Sequence, residues 1–151
     1  MCLDANSSTN PNLENEAAVM RTAIERAGLT TGDIEYVNTH GSSSPLGDET
    51  EVGAIQSLFG QDHKPYLNST KSLTGHCLWS AGIIEAIAVL AQLNNGFLHP
   101  DPNLDQPISS DCAWVGRTAR QTSITTAVSN SFGFGGINTS VVLESGNRGR
   151  Q

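Results

Sequence analysis

Residues 37–48 read VNTHGSSSPLGD, and this stretch sets the interpretation of the whole chain. The apolar segment that leads into it, residues 34–38, predicts a short strand, and the small polar residues that follow predict a loop containing His40. Asp48 followed by Glu51 has the form of a capping box, so a helix is expected to open there. Functional sites in open α/β sheets form at the carboxyl ends of strands, where this loop lies.

A second segment has the same arrangement. Another predicted strand leads into a loop that contains His76, and a long helix is predicted from about residue 80 to residue 94. His40 and His76 therefore stand at equivalent loop positions, each beside glycine and hydroxyl residues. Two such histidines indicate a site more strongly than one alone. His63 and His99 lack this setting and are interpreted as ordinary, hydrogen-bonded histidines.

Glu85 lies in a helical segment that is apolar on nearly every side. An isolated buried carboxylate costs several kcal/mol, so Glu85 must be neutral or paired. Lys71 is the only lysine or arginine in the preceding strand and loop, and it is the expected partner. Two interpretations stay open: a plain buried salt bridge, or a pair that fixes the position and charge of a nearby histidine.

The remaining pattern predicts a layered α/β fold. A helix is predicted over residues 14–27, and two strands over residues 124–130 and 137–144. The first ten residues are expected to form a loop. Because the chain opens with a loop and a helix, and because the helix over residues 83–93 is apolar nearly all round, the sequence indicates a piece whose missing layer lies elsewhere.

Residues 133–136, GFGG, join the last two strands. Glycine permits backbone geometry that other residues resist, so Phe134 is either a core residue beside a tight turn or a gate that swings. The segment is not a dinucleotide loop, because a strand follows it where a phosphate-binding helix would be needed.

The composition restricts the class of partner. The 151 residues include 8 Lys and Arg against 15 Asp and Glu, a net charge of −7, which argues against nucleic acid as the main partner. The longest mostly apolar stretch, residues 81–93, is about a third too short to span a bilayer. No signal-peptide pattern opens the chain, and the three cysteines lack metal-ligand spacing. We expect a cytoplasmic protein without a metal site.

Three segments of the chain resemble motifs of the β-ketoacyl-acyl carrier protein synthases, or ketosynthases, and stand in the same order as in that family. These proteins are thiolase-like condensing enzymes. The three segments are residues 37–48, residues 69–76 with Gly82 and Glu85 beyond them, and residues 130–138. The resemblance spans most of the chain. It is closest in character to the decarboxylating ketosynthases of polyketide clusters.

The resemblance implies the C-terminal half of a thiolase-like fold, a layered α/β/α arrangement with a mixed sheet. That half is incomplete without a complementary N-terminal half, which in the family carries the nucleophile. Residues 13–144 are expected to form the thiolase-like domain, residues 1–12 an opening loop, and residues 145–151 a frayed tail. The first strand of this half is expected to be absent.

The resemblance also implies catalytic roles for four residues. His40 and His76 would bind the thioester carbonyl of a malonyl unit and assist loss of carbon dioxide, while Lys71 and Glu85 would hold and tune His76. Decarboxylation leaves negative charge on the thioester oxygen, so donors fixed at that oxygen lower the barrier by about 3 kcal/mol each.

Five further residues are expected to contact substrate. Ser42 and Ser44 stand where the family usually has threonines that bind the phosphopantetheine arm. Phe134, with Gly135 beside it, would be the gate over the acyl pocket. Trp79 stands where the family has a very small residue, and it is expected either to narrow the acyl pocket or to repack the partner surface.

The implied activity is that of an acyltransferase in polyketide or fatty acid biosynthesis, active only with the complementary chain. It would decarboxylate malonyl-acyl carrier protein and condense the enolate with an acyl thioester. The chain itself would bind no cofactor, since the substrate is carried on the phosphopantetheine of an acyl carrier protein. The expected partners are that carrier protein and the complementary chain, in a hetero-oligomer built on a synthase dimer.

Three alternatives stay open. One is a decarboxylase without condensation, and another is a structural subunit that resembles a chain-length factor and performs no chemistry. A stand-alone binding module would instead be a cooperatively folded monomer.

Overall fold

The computed structural model describes residues 1–3 and 10–146. The α-helices in these ranges are α1 Leu13–Arg26, α2 Pro45–Phe59, α3 Lys71–Thr74 and α4 Ala81–Asn95, and 3₁₀ turns cover Thr31–Asp33 and Leu78–Ser80. The strands are β1 Cys2–Leu3, β2 Tyr36–Asn38, β3 Tyr66–Asn68, β4 Phe97–Leu98, β5 Ala113–Trp114, β6 Arg120–Gln121, β7 Thr126–Gly133 and β8 Ile137–Glu144.

The main sheet is mixed, as predicted. Its order is β1-β8-β7-β2-β3-β5, and the four strands β7, β2, β3 and β5 run parallel to one another. β8 is antiparallel to β7, and β1 is antiparallel to β8. β4 and β6 form a separate two-stranded antiparallel sheet. Because β2 and β3 are parallel neighbours, the loops that follow them meet at one edge of the sheet.

Helices cover both faces of the sheet. Val37 of β2 and Val128 of β7 point to the face covered by α1 and α2, whereas their neighbours Tyr36 and Ala127 point to the face covered by α4. This alternation is the period of two that a β-strand imposes on its side chains. Three layers result, so the predicted α/β/α class is correct.

Helix α4 packs on the sheet through one side only. Val89 and Leu93 are buried in the cluster beneath it, while Ile83 is 63% exposed and Ile87 is 60% exposed. Ile83 and Ile87 are four residues apart, so they form an apolar stripe on the outer surface of the helix. The prediction that this helix is buried on every side is therefore not met by the described residues alone.

Three local predictions were wrong. Cys2 and Leu3 form strand β1 where a loop, and no first strand, was expected. Lys71 opens the helical turn α3 and does not lie in a loop. Helix α2 begins at Pro45, because proline at the first helical position has its backbone angle already set, and it is not opened by a capping box at Asp48.

The predicted opening loop and tail fall partly outside the described residues, which omit 4–9 and 147–151. None of the helices in the described ranges has the length and apolar character that crossing a bilayer requires.

Candidate active site

The His40 loop is held by a buried carboxylate on α2. Glu51 accepts the backbone N–H of His40 through Oε1 at 2.9 Å and that of Gly41 through Oε2 at 3.0 Å. The amide of Asn130, on β7, donates a third bond to Oε1 at 2.9 Å. Glu51 therefore turns inward and fixes the loop backbone, a role different from the helix cap that its spacing from Asp48 predicted.

Strand β3 places the second half of the site. The side-chain oxygen of Asn38, at the end of β2, accepts hydrogen bonds from the backbone N–H and the hydroxyl of Thr70, at 3.1 and 2.7 Å. All these atoms are buried. The bonds fix the start of α3 against the end of β2, and so they bring Lys71 beside the His40 loop.

Lys71 forms the predicted buried ion pair with Glu85. Its ammonium group also donates to the backbone carbonyl oxygen of His40 at 2.6 Å and lies 3.4 Å from His40 Nδ1. Burial raises the pKa of Glu85, and the ammonium group of Lys71 counteracts that shift. The hydrogen bonds of the pair thus run to His40, whereas the resemblance associated the pair with His76.

The two histidine rings lie side by side. Their centroids are 5.6 Å apart and the planes are close to perpendicular, at 81°. Nδ1 of His76 accepts the backbone N–H of Leu78 at 3.0 Å, so the proton of the neutral ring is on Nε2. Phe132 of β7 borders His40, with ring centroids 5.8 Å apart.

His40 is neutral at physiological pH. Burial, then the ammonium group of Lys71 and then His76 lower its pKa to about 3. Because the ammonium group of Lys71 faces Nδ1, that nitrogen is an acceptor and Nε2 carries the proton. The neutral His40 ring therefore has an N–H at Nε2 to donate, and the His76 ring, whose Nδ1 accepts from Leu78, also offers its Nε2–H.

A cavity of about 450 Å³ opens beside this cluster. Its wall includes Lys71, His76, Ser42, Asp101 and Trp114, whereas His40 is not among the wall residues. Asp101 accepts the backbone N–H of Ser69, which in turn donates its hydroxyl to the Gly41 carbonyl at 3.1 Å. The space is large enough for a thioester and part of its arm.

The other predicted contact residues lie outside this wall. Ser44 is exposed and is the N-cap residue of α2. Trp79 is fully exposed in the 3₁₀ turn before α4. Phe134 is exposed at the β7–β8 turn next to Gly135. Of the five, only Ser42 faces the cavity, and the substrate contacts of all five stay predictions.

His63 and His99 are hydrogen-bonded as interpreted from the sequence. His63 Nε2 lies 2.6 Å from the carbonyl oxygen of Ile34. Buried His99 contacts the hydroxyl of Thr70 through Nε2 at 3.1 Å, and its carbonyl oxygen accepts from Asn68 at 2.7 Å. Within the described residues, no group of three or more acidic, histidine or cysteine side chains is arranged to hold a metal.

Sequence reasoning missed three residues that shape the site. Glu51 was assigned to a helix cap, Asn130 to a strand, and Phe132 to the segment before the glycine turn. The sequence offered a usable signal only for Glu51. This residue stands next to Val52 in the middle of a predicted helix, and a buried acidic side chain on a packed helix needs a partner.

Comparison with known proteins identifies the chain. The family description "Beta-ketoacyl synthase, C-terminal domain" matches residues 3–105. The chain belongs to the β-ketoacyl synthase family. It is 44% identical over 142 residues to the polyketide biosynthesis malonyl-ACP decarboxylase PksF of Bacillus subtilis, covering 94% of this chain and 34% of that protein.

Other relatives of this chain are named as 3-oxoacyl-[acyl-carrier-protein] synthases. The chain is 40% identical over 144 residues to 3-oxoacyl-[acyl-carrier-protein] synthase 2 of Rhizobium meliloti, covering 93% of this chain and 34% of that protein. It thus spans about a third of the length of these curated relatives. Among solved structures, the ishigamide ketosynthase/chain length factor superposes with a TM-score of 0.87 at 30% identity, covering 95% of this chain and 36% of that one.

Proposed function

We propose that this chain supplies the malonyl-binding part of a cytoplasmic ketosynthase that decarboxylates malonyl-acyl carrier protein through His40 and His76. The enolate formed there is then condensed with an acyl thioester held by a complementary N-terminal part. The substrate arrives on the phosphopantetheine of the carrier protein, and the complete enzyme is an acyltransferase.

One observation carries this proposal: two imidazole rings whose centroids are 5.6 Å apart, each with an Nε2–H to donate. Lys71 holds the backbone and the ring of His40, so the donor is fixed before substrate binds. Preorganised donors of this kind are usually the largest single contribution to such catalysis.

Decarboxylation is the first chemical step of the proposed reaction. The bond between the carboxylate carbon and C2 of the malonyl group breaks, and carbon dioxide leaves. The electron pair of that bond is delocalised from C2 onto the thioester oxygen, where the two imidazole N–H groups donate hydrogen bonds. The enolate then attacks an acyl thioester and expels its thiolate, or it takes up a proton to give the acetyl thioester.

The relatives support both outcomes. One is named as a malonyl-ACP decarboxylase and others as 3-oxoacyl-[acyl-carrier-protein] synthases. A structural relative is described as a type II PKS acyl-carrier protein in complex with its ketosynthase. These names support a carrier-bound substrate and a ketosynthase partner for this chain.

The first experiment replaces His40 and His76 by alanine in the enzyme assembled with its complementary part. Each replacement should lower the rate of carbon dioxide release from malonyl-acyl carrier protein by about 100-fold or more, because one donor to the enolate oxygen is lost. His63→Gln is the matched control, since His63 bonds Ile34 outside the site. Unchanged product formation in both alanine variants would leave only the structural, chain-length-factor-like subunit.

A second experiment separates condensation from decarboxylation alone. The assembled enzyme is given a long acyl donor together with malonyl-acyl carrier protein, and the products are resolved by mass spectrometry. We expect a β-ketoacyl product two carbons longer than the donor. Acetyl-carrier protein with no extended product would instead make this enzyme a decarboxylase without condensation.

A further inference from the structure

Glu16 is a buried carboxyl group that the proposed chemistry does not use. It lies on α1 and is only 2% exposed. Within the described part of the chain, its Oε2 atom has no hydrogen-bond partner. Burying a carboxylate without a hydrogen-bond partner is costly, so Glu16 is either protonated or stabilised in its charged form by another group.

The neighbours of Glu16 on α1 show what it faces. Leu13, three residues earlier, approaches α2 so closely that a Cβ added at Gly53 would lie 2.8 Å from its Cδ1 atom. Met20, four residues later, lies with its sulfur 3.2 Å from the side-chain nitrogen of Asn130, the same amide that donates to Glu51. Residues three and four apart share one side of a helix. Glu16 therefore faces the region of Glu51.

Burial raises the pKa of Glu51, but three donated hydrogen bonds oppose that shift, whereas one oxygen of Glu16 has no such bond within the described residues. The two oxygens of Glu51 accept these three hydrogen bonds from the backbone of His40 and Gly41 and from Asn130. Bonds donated to a carboxylate favour its ionised form, and two adjacent buried carboxylates cannot both be ionised cheaply. Burial, followed by the charge of Glu51, raises the pKa of Glu16 to about 8.

Among the described residues, Glu51 is the charged group that raises the pKa of this carboxyl group, and the backbone of Asn12 opposes the shift. β7 presents the uncharged Asn130, and Glu144 of β8 is exposed. β1 consists of Cys2 and Leu3. On α2 the charged neighbour is Glu51. The ammonium group of Lys71 lowers the pKa of Glu51, against the effect of burial.

We propose that Glu16 is a positioning residue for His40: while protonated it lets Glu51 hold the His40–Gly41 backbone, and its ionisation weakens that hold. The effect is exerted through Glu51, since Glu16 itself does not touch the histidine backbone. Its consequence for decarboxylation rests on the proposed function, whereas the change in the loop does not.

The direction of the pH effect follows from the pKa of Glu16 in the folded chain. Below about pH 8 Glu16 stays protonated in the folded chain, while in the unfolded chain it ionises near its ordinary value of 4.5. The folded state therefore binds more protons between these values, and the stability that Glu16 contributes is lost as pH rises through that interval. The ionisation of the folded group, near pH 8, is the step that loosens the loop.

The test compares the full chain with Glu16→Gln, which resembles the protonated side chain. The matched control is Glu14→Gln, which removes an exposed carboxylate from the same first turn of α1 and so the same interaction with the helix dipole. The backbone amide signals of His40 and Gly41 are followed by NMR from about pH 6 to about pH 10. We expect a midpoint near 8 in the unaltered chain and in Glu14→Gln. In Glu16→Gln these signals should not titrate.

Equal titration in Glu16→Gln and the unaltered chain, or no titration in either, would overturn the inference. If Glu16→Gln does not fold, the unaltered chain decides, because amide signals that stay constant between about pH 7 and about pH 9 would exclude the effect. In the assembled enzyme, Glu16→Gln should move the alkaline limb of the decarboxylation profile to higher pH by about one unit or more. An enzyme that releases no carbon dioxide at any pH refutes the proposed function, and the NMR comparison still tests Glu16.

Discussion

Lys71 connects Glu85 with His40, one of the two histidines proposed to be catalytic. Its one ammonium group contacts the Glu85 carboxylate, the His40 carbonyl oxygen and the His40 ring. The sequence was sufficient to pair Lys71 with Glu85, because the apolar neighbours of Glu85 leave a carboxylate no other means of staying charged. The sequence was not sufficient to assign the pair to His40, since that contact depends on the relative placement of two parallel strands.

The first residue-scale prediction concerns the stability of this pair. Lys71→Met should lower the free energy of unfolding by about 3–5 kcal/mol, because it leaves Glu85 buried and unpaired. The double variant Lys71→Met, Glu85→Met should cost much less than the two single changes added together, since no unpaired charge remains. Denaturant unfolding of the three variants measures this, with Lys64→Met, an exposed lysine, as the control. Additive costs would show that the two side chains do not interact.

The second residue-scale prediction concerns the charge on His40. In the Lys71→Met, Glu85→Met variant the pKa of His40 should rise above its value of about 3, because a neighbouring cation no longer opposes protonation. The pKa should stay below the ordinary value of 6.5, since burial is the larger cause of the shift. Imidazole proton signals followed by NMR as a function of pH measure both limits. A pKa that does not move would show that Lys71 has no influence on the ring.

At the scale of elements, long periodic segments were predictable and short ones were not. The sequence predicted helix α4 from about residue 80 to 94, and it is found at Ala81–Asn95 with Gly96 at its end. Strands β1, β4 and β6 contain two residues each, too few to show any periodicity. The start of α2 was misplaced because the pattern of Asp48 and Glu51 resembles a cap, whereas Asp48 lies inside the helix that Pro45 opens.

The β2–α2 loop carries the prediction at this scale. Gly41 has a φ of +43°, and a Cβ added there would lie 2.7 Å from Cβ and Oγ of Ser69 and 2.8 Å from Oγ1 of Thr39. Gly28 also has a positive φ, +72°, but a Cβ there meets nothing within 4 Å. Gly28→Ala should therefore cost only the backbone strain, about 1–2 kcal/mol.

Gly41→Ala should cost more than Gly28→Ala in the free energy of unfolding, because the same strain is joined by a steric clash. It should also displace the His40 loop, seen as shifts in the His40 backbone signals and as slower carbon dioxide release from the assembled enzyme. Gly28→Ala should leave both readouts unchanged. Equal costs and equal activities for the two variants would show that the close approach to Ser69 is unimportant.

At the scale of the whole molecule, helix α4 connects the site with an exposed apolar surface. Glu85 points from α4 toward Lys71, while Ile83 and Ile87 are exposed on the same helix. The chain spans about a third of the length of its curated relatives, 34% in both cases cited. The sequence alone indicated that α4 needed a further layer, since a helix that is apolar nearly all round buries both sides when it is fully packed.

The last prediction tests whether the complementary part supplies that layer. The variant Ile83→Lys, Ile87→Lys should keep the fold of this chain, because both side chains are already exposed. It should lose binding to the complementary part by about 100-fold or more, since two charges placed in a desolvated apolar interface have no partner there. Leu46→Lys, a comparable change at an exposed leucine on α2, is the matched control and should bind normally. Binding measured by calorimetry decides between the outcomes: undiminished affinity in the double variant, with its fold intact by circular dichroism, would mean that the stripe of α4 lies outside the interface, whereas loss of binding in both variants would reflect added charge alone.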